Sequence, residues 1–202
     1  ASAISLAPLA VQKMDRKKDM RELEEINKHK TLKSFDDVPK LSEPMSPAES
    51  VKLINPGYPR GNTVQNCTFC TTAMAMREKG YDVQASKTPH PWYTDDLFKK
   101  TFNVQDTRMK NIKSAKDVRE TLEAMGDGAY GGLRVQWTMG GGHSIFWKNE
   151  GGKVHIYDGQ SGEEIDTNGK SAFMRSINFN NMSYQRLDNA EPTEYALALV
   201  NP

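Results

Sequence analysis

The sequence predicts an α+β fold, in which helices come first along the chain and an antiparallel sheet follows. Two observations support this prediction. Before Gly126 the apolar residues recur at helical spacing, whereas after it they alternate with polar residues, as in half-buried strands. The 202 residues contain no internal repeat and are enough for one buried core with an appended segment.

The composition is that of an ordinary globular protein and excludes several classes of function. The formal net charge is +1, so the chain has no electrostatic footprint for nucleic acid. No apolar run approaches the roughly 20 residues of a membrane helix. No basic region precedes the mildly apolar start, so we do not expect a signal peptide. Two cysteines three positions apart are not a disulfide framework, which favours a reducing compartment.

Residues 1–45 are predicted to be a leader outside the core, and residues 46–202 to be the folded domain. Positions 15–29 are dense in charge and carry only a thin apolar stripe, which predicts a solvated amphipathic helix. A linker with several Pro and Ser residues follows. Such a helix would dock on the domain or on a partner, and a partly disordered extension is an equally open interpretation. The chain starts with Ala, which fits either a processed terminus or removal of Met.

The first predicted helix of the domain begins at Pro47. Ser46 and Glu49 form a capping-box pattern around it, and the helix should run to Ile54. The stretch 55–62, rich in Pro and Gly, is compatible only with turns and a loop.

Both cysteines of the chain lie in the stretch 65–70. Asn66 is predicted to be the N-cap of a second helix, with Cys67 at its first position and Gly80 just past its end. At that end of a helix the backbone N–H groups and the dipole favour a thiolate, as a nucleophile requires. Cys70, one turn later, is interpreted as a core residue packed behind Cys67.

The remaining elements follow from caps and from apolar alternation. Helices are predicted from 94–96 through Phe98, from 114–117 to Gly126, and at 171–176. A short extended segment is predicted at Val83 and Ala85, and strands at 133–138, 143–148, 153–157 and 195–200. The first three of these strands, separated by glycine turns, predict an antiparallel meander.

Two residues of the predicted sheet are suitable partners for Cys67. His143 opens a strand directly after three glycines, where glycine permits close approach of another segment. Asp158 ends the neighbouring strand of the hairpin, where its carboxylate can reach the imidazole. In a Cys–His–Asp set the imidazole forms an ion pair with the thiolate and the carboxylate fixes its orientation. Helix-terminal N–H groups then stabilise an oxyanion.

Each of these residues alone also has a simpler structural interpretation. Cys67 could be a small buried apolar residue, His143 a polar residue at the end of a strand, and Asp158 a residue that favours a turn. A redox or zinc function for the Cys-x-x-Cys pair is disfavoured, because no strand precedes it and no second ligand pair follows. His90 lies in a loop between two prolines, and His155 is expected on the opposite side of its strand. The three glycines lack the Lys-Ser/Thr and the helix of a phosphate loop. We therefore expect no metal and no cofactor.

The chain resembles the papain-fold toxin domain of bacterial polymorphic toxins and of toxin tails fused to phage head-morphogenesis proteins. The family pattern is approximately NCxxC…RxxGxxVxA…GH…DPQxG. Positions 66–70, 77–85, 142–143 and 158–162 match it nearly in full. The resemblance extends over about residues 55–200 and leaves the leader out.

The resemblance implies that Cys67 is the nucleophile, His143 the base and Asp158 the orienting acid. Gln160 would support the site from behind. Gly159 stands where the family usually has Pro, and we expect this difference to loosen the turn.

The implied function is that of a papain-like cysteine hydrolase, which acts on a carboxamide carbon as a bacterial or phage-borne toxin. Deamidation of a protein glutamine is favoured over cleavage of a peptide or isopeptide bond, and all these reactions share a thioester intermediate. The enzyme would act in the cytoplasm of a target cell, and residues 1–45 would bind an immunity protein or a phage structural protein. A second interpretation is a non-catalytic virion or interaction module that keeps the fold and docks through the leader.

Overall fold

The computed structural model describes residues 30–88 and 97–202, together with six residues between positions 17 and 28. Several features of the sequence prediction lie outside the described residues: the leader stripe of Met20, Leu23 and Ile26, the loop residue His90, and the helix start at 94–96.

The first helix of the domain, α1, spans Pro47–Ser50 and has the predicted capping box. The Ser46 hydroxyl accepts a hydrogen bond from the backbone N–H of Glu49, and the Glu49 carboxylate accepts one from the backbone N–H of Ser46. The chain continues as a 3-10 turn over Val51–Leu53, so the helical segment is as long as predicted but changes its pitch.

The central helix, α2, spans Cys67–Glu78 and begins and ends where the sequence predicts. It stops at Gly80, whose φ of +96° is the left-handed conformation that glycine adopts without strain. Every residue from Thr68 to Arg77 is buried, so α2 is enclosed on all sides rather than amphipathic.

Three further helices belong to residues 97–202: α3 spans Leu97–Phe102, α4 Ala115–Glu123 and α5 Ala172–Arg175. The hydroxyls of Ser114 and Ser171 cap the last two, as their N-cap positions predict. Other 3-10 turns lie at Phe35–Asp37 and Gly61–Thr63.

The described strands form a six-stranded antiparallel sheet and a separate two-stranded ribbon. The strands are β1 Gln84–Ala85, β2 Thr107–Arg108, β3 Tyr130–Gln136, β4 Gly142–Glu150, β5 Lys153–Asp158, β6 Glu163–Ile165, β7 Ser183–Arg186 and β8 Val200–Asn201. The order in the large sheet is β2-β7-β3-β4-β5-β6, and β1 pairs with β8. The predicted meander, β3 to β5, is confirmed. The sequence prediction missed the short strands β2, β6 and β7.

Two helices cover the two faces of the large sheet. Neighbouring residues of β4 point to opposite faces, and both Phe146 and Trp147 are fully buried. Phe146 packs in the same apolar cluster as Phe69 of α2, whereas Trp147 packs in the cluster that contains Leu122 of α4. The sheet is therefore the middle layer of an α+β fold, which confirms the predicted fold class.

The predicted closing strand at 195–200 is wrong. Glu194–Ala198 form a 3-10 helix, and only Val200–Asn201 form a strand, paired with β1. The cause lies in the burial pattern, because Ala196, Leu197 and Ala198 are buried consecutively. In a strand with one exposed face, every second residue would be buried, whereas here three in a row are buried. Alanine also favours helical conformations.

The end of the predicted leader packs against the domain. Leu32 and Val38 are 3% and 4% exposed and belong to the same apolar cluster as α2. The backbone N–H of Leu41 donates to the carbonyl oxygen of Gly80 at 2.8 Å, which ties the leader to the end of α2. The division of the chain at residue 45 stays a prediction.

A substitution in β3 tests the strand pairing. A Cβ on Gly131 would lie 1.7 Å from the backbone oxygen of Gln185 in β7. Gly131→Ala must therefore displace β7, and we expect it to lower the free energy of unfolding by about 3 kcal/mol, the upper part of the range for overpacking. Gly169→Ala is the control, because its Cβ would make only an ordinary 3.7 Å contact. Equal urea midpoints for the two variants would contradict the observed register.

Candidate active site

The candidate nucleophile, Cys67, lies at the first position of α2, where the sequence predicts it. Its thiol and that of Cys70 are both free, but their surroundings differ. Cys70 is 1% exposed, and burial raises the pKa of its thiol well above the ordinary value, with Cys67 and Asp158 adding to this effect. Cys70 is therefore a neutral core residue, as the sequence predicts, and Cys67 is the cysteine that reaches the cleft.

The candidate base and acid meet directly. His143 Nε2 lies 2.9 Å from Asp158 Oδ2, and both side chains are nearly buried, at 11% and 13% exposure. The other carboxylate oxygen, Oδ1, accepts hydrogen bonds from the backbone N–H groups of Gln160 at 3.0 Å and Ser161 at 3.4 Å. The turn after β5 thus holds the carboxylate in place, and the carboxylate holds the imidazole.

The His143 imidazole and the Asp158 carboxylate shift each other's pKa in opposite directions. Burial alone would lower the pKa of His143, but hydrogen bonding and charge from Asp158 and then from Cys67 outweigh it and raise the pKa to about 10. For Asp158, burial would raise the pKa, but the hydrogen bond and charge of His143 and the two backbone donors lower it below its ordinary value. Because Nε2 is engaged with Asp158, the other ring nitrogen, Nδ1, is the one available to Cys67.

Trp137 is a site residue that the sequence prediction treated only as part of a strand. Its ring stacks on the imidazole of His143, with centroids 5.9 Å apart and an interplanar angle of 26°. Phe173 of α5 braces the indole edge-on at 5.1 Å. The aromatic pair shields one face of the imidazole from water. The sequence signal that could have identified this residue is a tryptophan just before the glycine turn that leads to His143.

Asn66 occupies the N-cap position of α2, as the sequence predicts, but its side chain does not cap the helix. It makes no capping hydrogen bond, and its φ and ψ are −106° and 29° rather than the extended values of a cap. Its side chain is fully buried and turns away from the helix, donating from Nδ2 to Asn55 Oδ1 at 2.9 Å and to the carbonyl oxygen of Ser86 at 3.1 Å. The side chain of Asn66 therefore bonds to Asn55 and Ser86 instead of accepting from the first backbone N–H groups of α2.

Gln160 follows Asp158 by two positions and lines the same cleft as Cys67 and His143, and its supporting role stays a prediction. It is 9% exposed, and its Nε2 donates to Asn66 Oδ1 at 3.4 Å. Gly159, next to it, does not loosen the turn as expected. A Cβ at Gly159 would lie 3.0 Å from Cys70 Cβ, so the glycine lets the turn pack directly on α2.

A cleft of about 470 Å³ opens between the start of α2 and the ends of the sheet strands. Besides Cys67 and His143, its lining includes a polar wall that sequence reasoning missed: Thr68, Asp106, Arg134, Ser144 and Gln185. Arg134 Nη1 lies 3.6 Å from Asp106 Oδ2, and Gln185 Nε2 donates to Asp106 Oδ1 at 2.6 Å. Asp106, Arg134 and Gln185 come from three distant segments, and no local pattern in the sequence links them.

Two features are absent from the described residues. No three His, Cys, Asp or Glu side chains among them are arranged to hold a metal ion. No helix among them combines the length and the apolar composition needed to cross a membrane.

His143 is expected to keep its proton well above neutral pH. A nuclear magnetic resonance titration of the imidazole should give a pKa of about 10. Asp158→Asn should lower it, because a neutral amide does not attract the imidazolium. A wild-type midpoint at the ordinary value of 6.5 that does not move in this variant would contradict the ion pair.

The same shift gives the stability a definite pH dependence. Because the folded-state pKa of His143 is raised above 6.5, its contribution is fully present below pH 6.5 and is lost as the pH rises toward 10. The difference in free energy of unfolding between the wild type and His143→Gln should therefore shrink over this window in urea titrations. A difference in free energy of unfolding that grows with pH would contradict the raised pKa of His143.

Comparison with protein families gives a match over residues 65–163 to the family described as papain fold toxin 1, glutamine deamidase. The matched segment contains Cys67, His143 and Asp158. Searches among curated proteins and among solved structures gave no match. The helices packed on an antiparallel sheet agree with the papain-like fold that the family name states. The matched segment, just under half of the chain, is therefore similar to a papain-fold toxin domain of the glutamine deamidase type.

Proposed function

We propose that the protein is a toxin that deamidates glutamine side chains of a target protein, with Cys67, His143 and Asp158 as its catalytic triad. The observation that carries the proposal is the 2.9 Å contact between His143 Nε2 and Asp158 Oδ2, made at a cleft that Cys67 also lines. The description of the matched family supports the class of reaction.

The first half of the reaction forms a thioester. Cys67 Sγ attacks the side-chain carboxamide carbon of the substrate glutamine and gives a tetrahedral intermediate. When the C–N bond breaks, the His143 imidazolium donates its proton to the leaving nitrogen, and ammonia departs. The products of this step are a thioester on Cys67 and a neutral imidazole.

The second half of the reaction consumes water. The neutral imidazole of His143 takes a proton from water while the water oxygen attacks the thioester carbon. The C–S bond then breaks, a glutamate side chain leaves, and the thiolate–imidazolium pair is restored. Asp158 keeps the ring in one orientation during both steps and stabilises its charged form.

The start of α2 is suited to stabilising the negative oxygen of both intermediates. The positive end of the helix dipole lies there, and the side chain of the N-cap residue, Asn66, does not cap the helix. Since Cys67 is the first residue of α2, the oxyanion that forms on attack by its sulfur lies next to these backbone N–H groups.

Deamidation is favoured over peptide cleavage by the family description. Both reactions pass through the same thioester, so they differ in the amide that the cleft holds against Cys67. The product distinguishes them, because deamidation leaves the substrate chain intact.

Delivery to a target cell is part of the proposal. A toxin of this kind would act on a protein in the cytoplasm of that cell, after transport by a secretion system or a phage particle. The described residues between positions 17 and 28 are exposed, and all of them are charged. This supports a docking role for residues 1–45 toward an immunity protein or a phage structural protein.

Replacement of the nucleophile tests the proposed reaction. Cys67→Ala should reduce deamidation of target-cell proteins by at least about a thousandfold, as loss of a triad nucleophile does. Intact-mass analysis checks this, because each deamidation replaces NH₂ by OH and adds about one mass unit.

Cys70→Ala is the matched control, since it removes the other thiol and leaves Cys67 in place. It should lower stability through a core cavity while its deamidation activity persists. Equal activity of Cys67→Ala and the wild type would refute the proposed mechanism, and fragments in place of mass gains would identify a protease.

A further inference from the structure

Asn55 is a buried side chain that the proposed reaction does not use. It is 8% exposed and stands at the end of the first helical segment, eleven positions before Asn66. The two hydrogens of its Nδ2 are donated to the carbonyl oxygens of Thr63 and Gln160, both at 2.9 Å, and Asn66 Oδ1 lies 3.3 Å from the same nitrogen. Its Oδ1 accepts from Asn66 Nδ2 at 2.9 Å. Both ends of the amide are therefore engaged.

These partners belong to the two separate halves of the site. Asn66 directly precedes Cys67 and fixes the start of α2. Gln160 belongs to the turn whose backbone holds the Asp158 carboxylate, and it lies 105 positions away from Asn55 in sequence. The side chain of Asn55 thus touches both the segment that carries the sulfur and the turn that orients the imidazole.

We propose that Asn55 is a positioning residue that sets the placement of Cys67 relative to His143 and Asp158. The proposal rests on the function proposed above. Gln160 Nε2 also donates to Asn66 Oδ1 at 3.4 Å, so Asn55, Asn66 and Gln160 are linked pairwise, with the bond between Asn55 and Gln160 made to the Gln160 backbone carbonyl. A network in which each member is satisfied fixes one geometry, and a misplacement of about 1 Å can cost roughly a hundredfold in rate.

Asn149 offers a matched control for a purely structural role. It is 1% exposed, and its Nδ2 donates to the carbonyl oxygens of Leu122 and Gly126 at 2.7 and 3.0 Å. It therefore makes the same kind of bonds as Asn55, but it ties α4 to the sheet and contacts no residue of the proposed triad.

The experiment compares Asn55→Ala and Asn149→Ala well below their unfolding midpoints. Both variants should unfold at lower urea concentration than the wild type. Only Asn55→Ala should lower the kcat of deamidation, by about 10- to 100-fold, with little change in KM, because the cleft walls stay in place while the reacting groups separate. It should also slow alkylation of Cys67 by iodoacetamide and lower the pKa of His143.

If Asn55→Ala does not fold, Asn55→Asp replaces it. This variant keeps the side-chain shape but loses the donors to Thr63 and Gln160, and the same changes are expected. Equal kcat, alkylation rate and His143 pKa in the Asn55 and Asn149 variants would overturn the positioning role. Alkylation and the His143 titration need no protein substrate, so a failure to detect deamidation in the wild type would refute the proposed function and still leave Asn55 tested.

Discussion

The contact between the first turn of α2 and the ends of β4 and β5 is the constraint on which the site depends. Near the start of the helix, Thr71 Oγ1 lies 2.9 Å from Ser144 Oγ, next to His143. At the far end, Lys148 Nζ of β4 lies 2.6 Å from Glu78 Oε2. The helix is therefore attached to the same strand at both ends, and its buried middle cannot shift without breaking the core.

The turn after β5 determines the charge of the side chains in the site. A buried imidazole would ordinarily lose its proton, because burial disfavours the charged form. Here the Asp158 carboxylate is fixed by two backbone N–H groups and stays ionised, so it keeps a proton on His143. The stacked Trp137 excludes water from one face of the ring. The turn after β5 thus keeps the imidazole of His143 protonated through the Asp158 carboxylate.

Much of the site could be predicted because its parts stand at element boundaries with local signals. Cys67 starts a helix, His143 follows three glycines, and Asp158 begins an Asp-Gly turn. Asn66 stands at the predicted N-cap position, but its side chain bonds to Asn55 from another segment instead of capping the helix, and such a pairing leaves no trace in local sequence. The strands β2, β6 and β7 were missed for a related reason: they are two to four residues long and are stabilised by their neighbours rather than by their own pattern.

The central claim is that Cys67 is the nucleophile that His143 activates, and alkylation of the free protein tests it most directly. Iodoacetamide should label Cys67 at neutral pH in the wild type and leave the buried Cys70 unlabelled, as peptide mass analysis would report. In His143→Ala, labelling of Cys67 should be slower at the same pH, because the imidazole that assists the thiol is gone. Equal labelling rates in the two proteins would contradict the activation of Cys67 by His143.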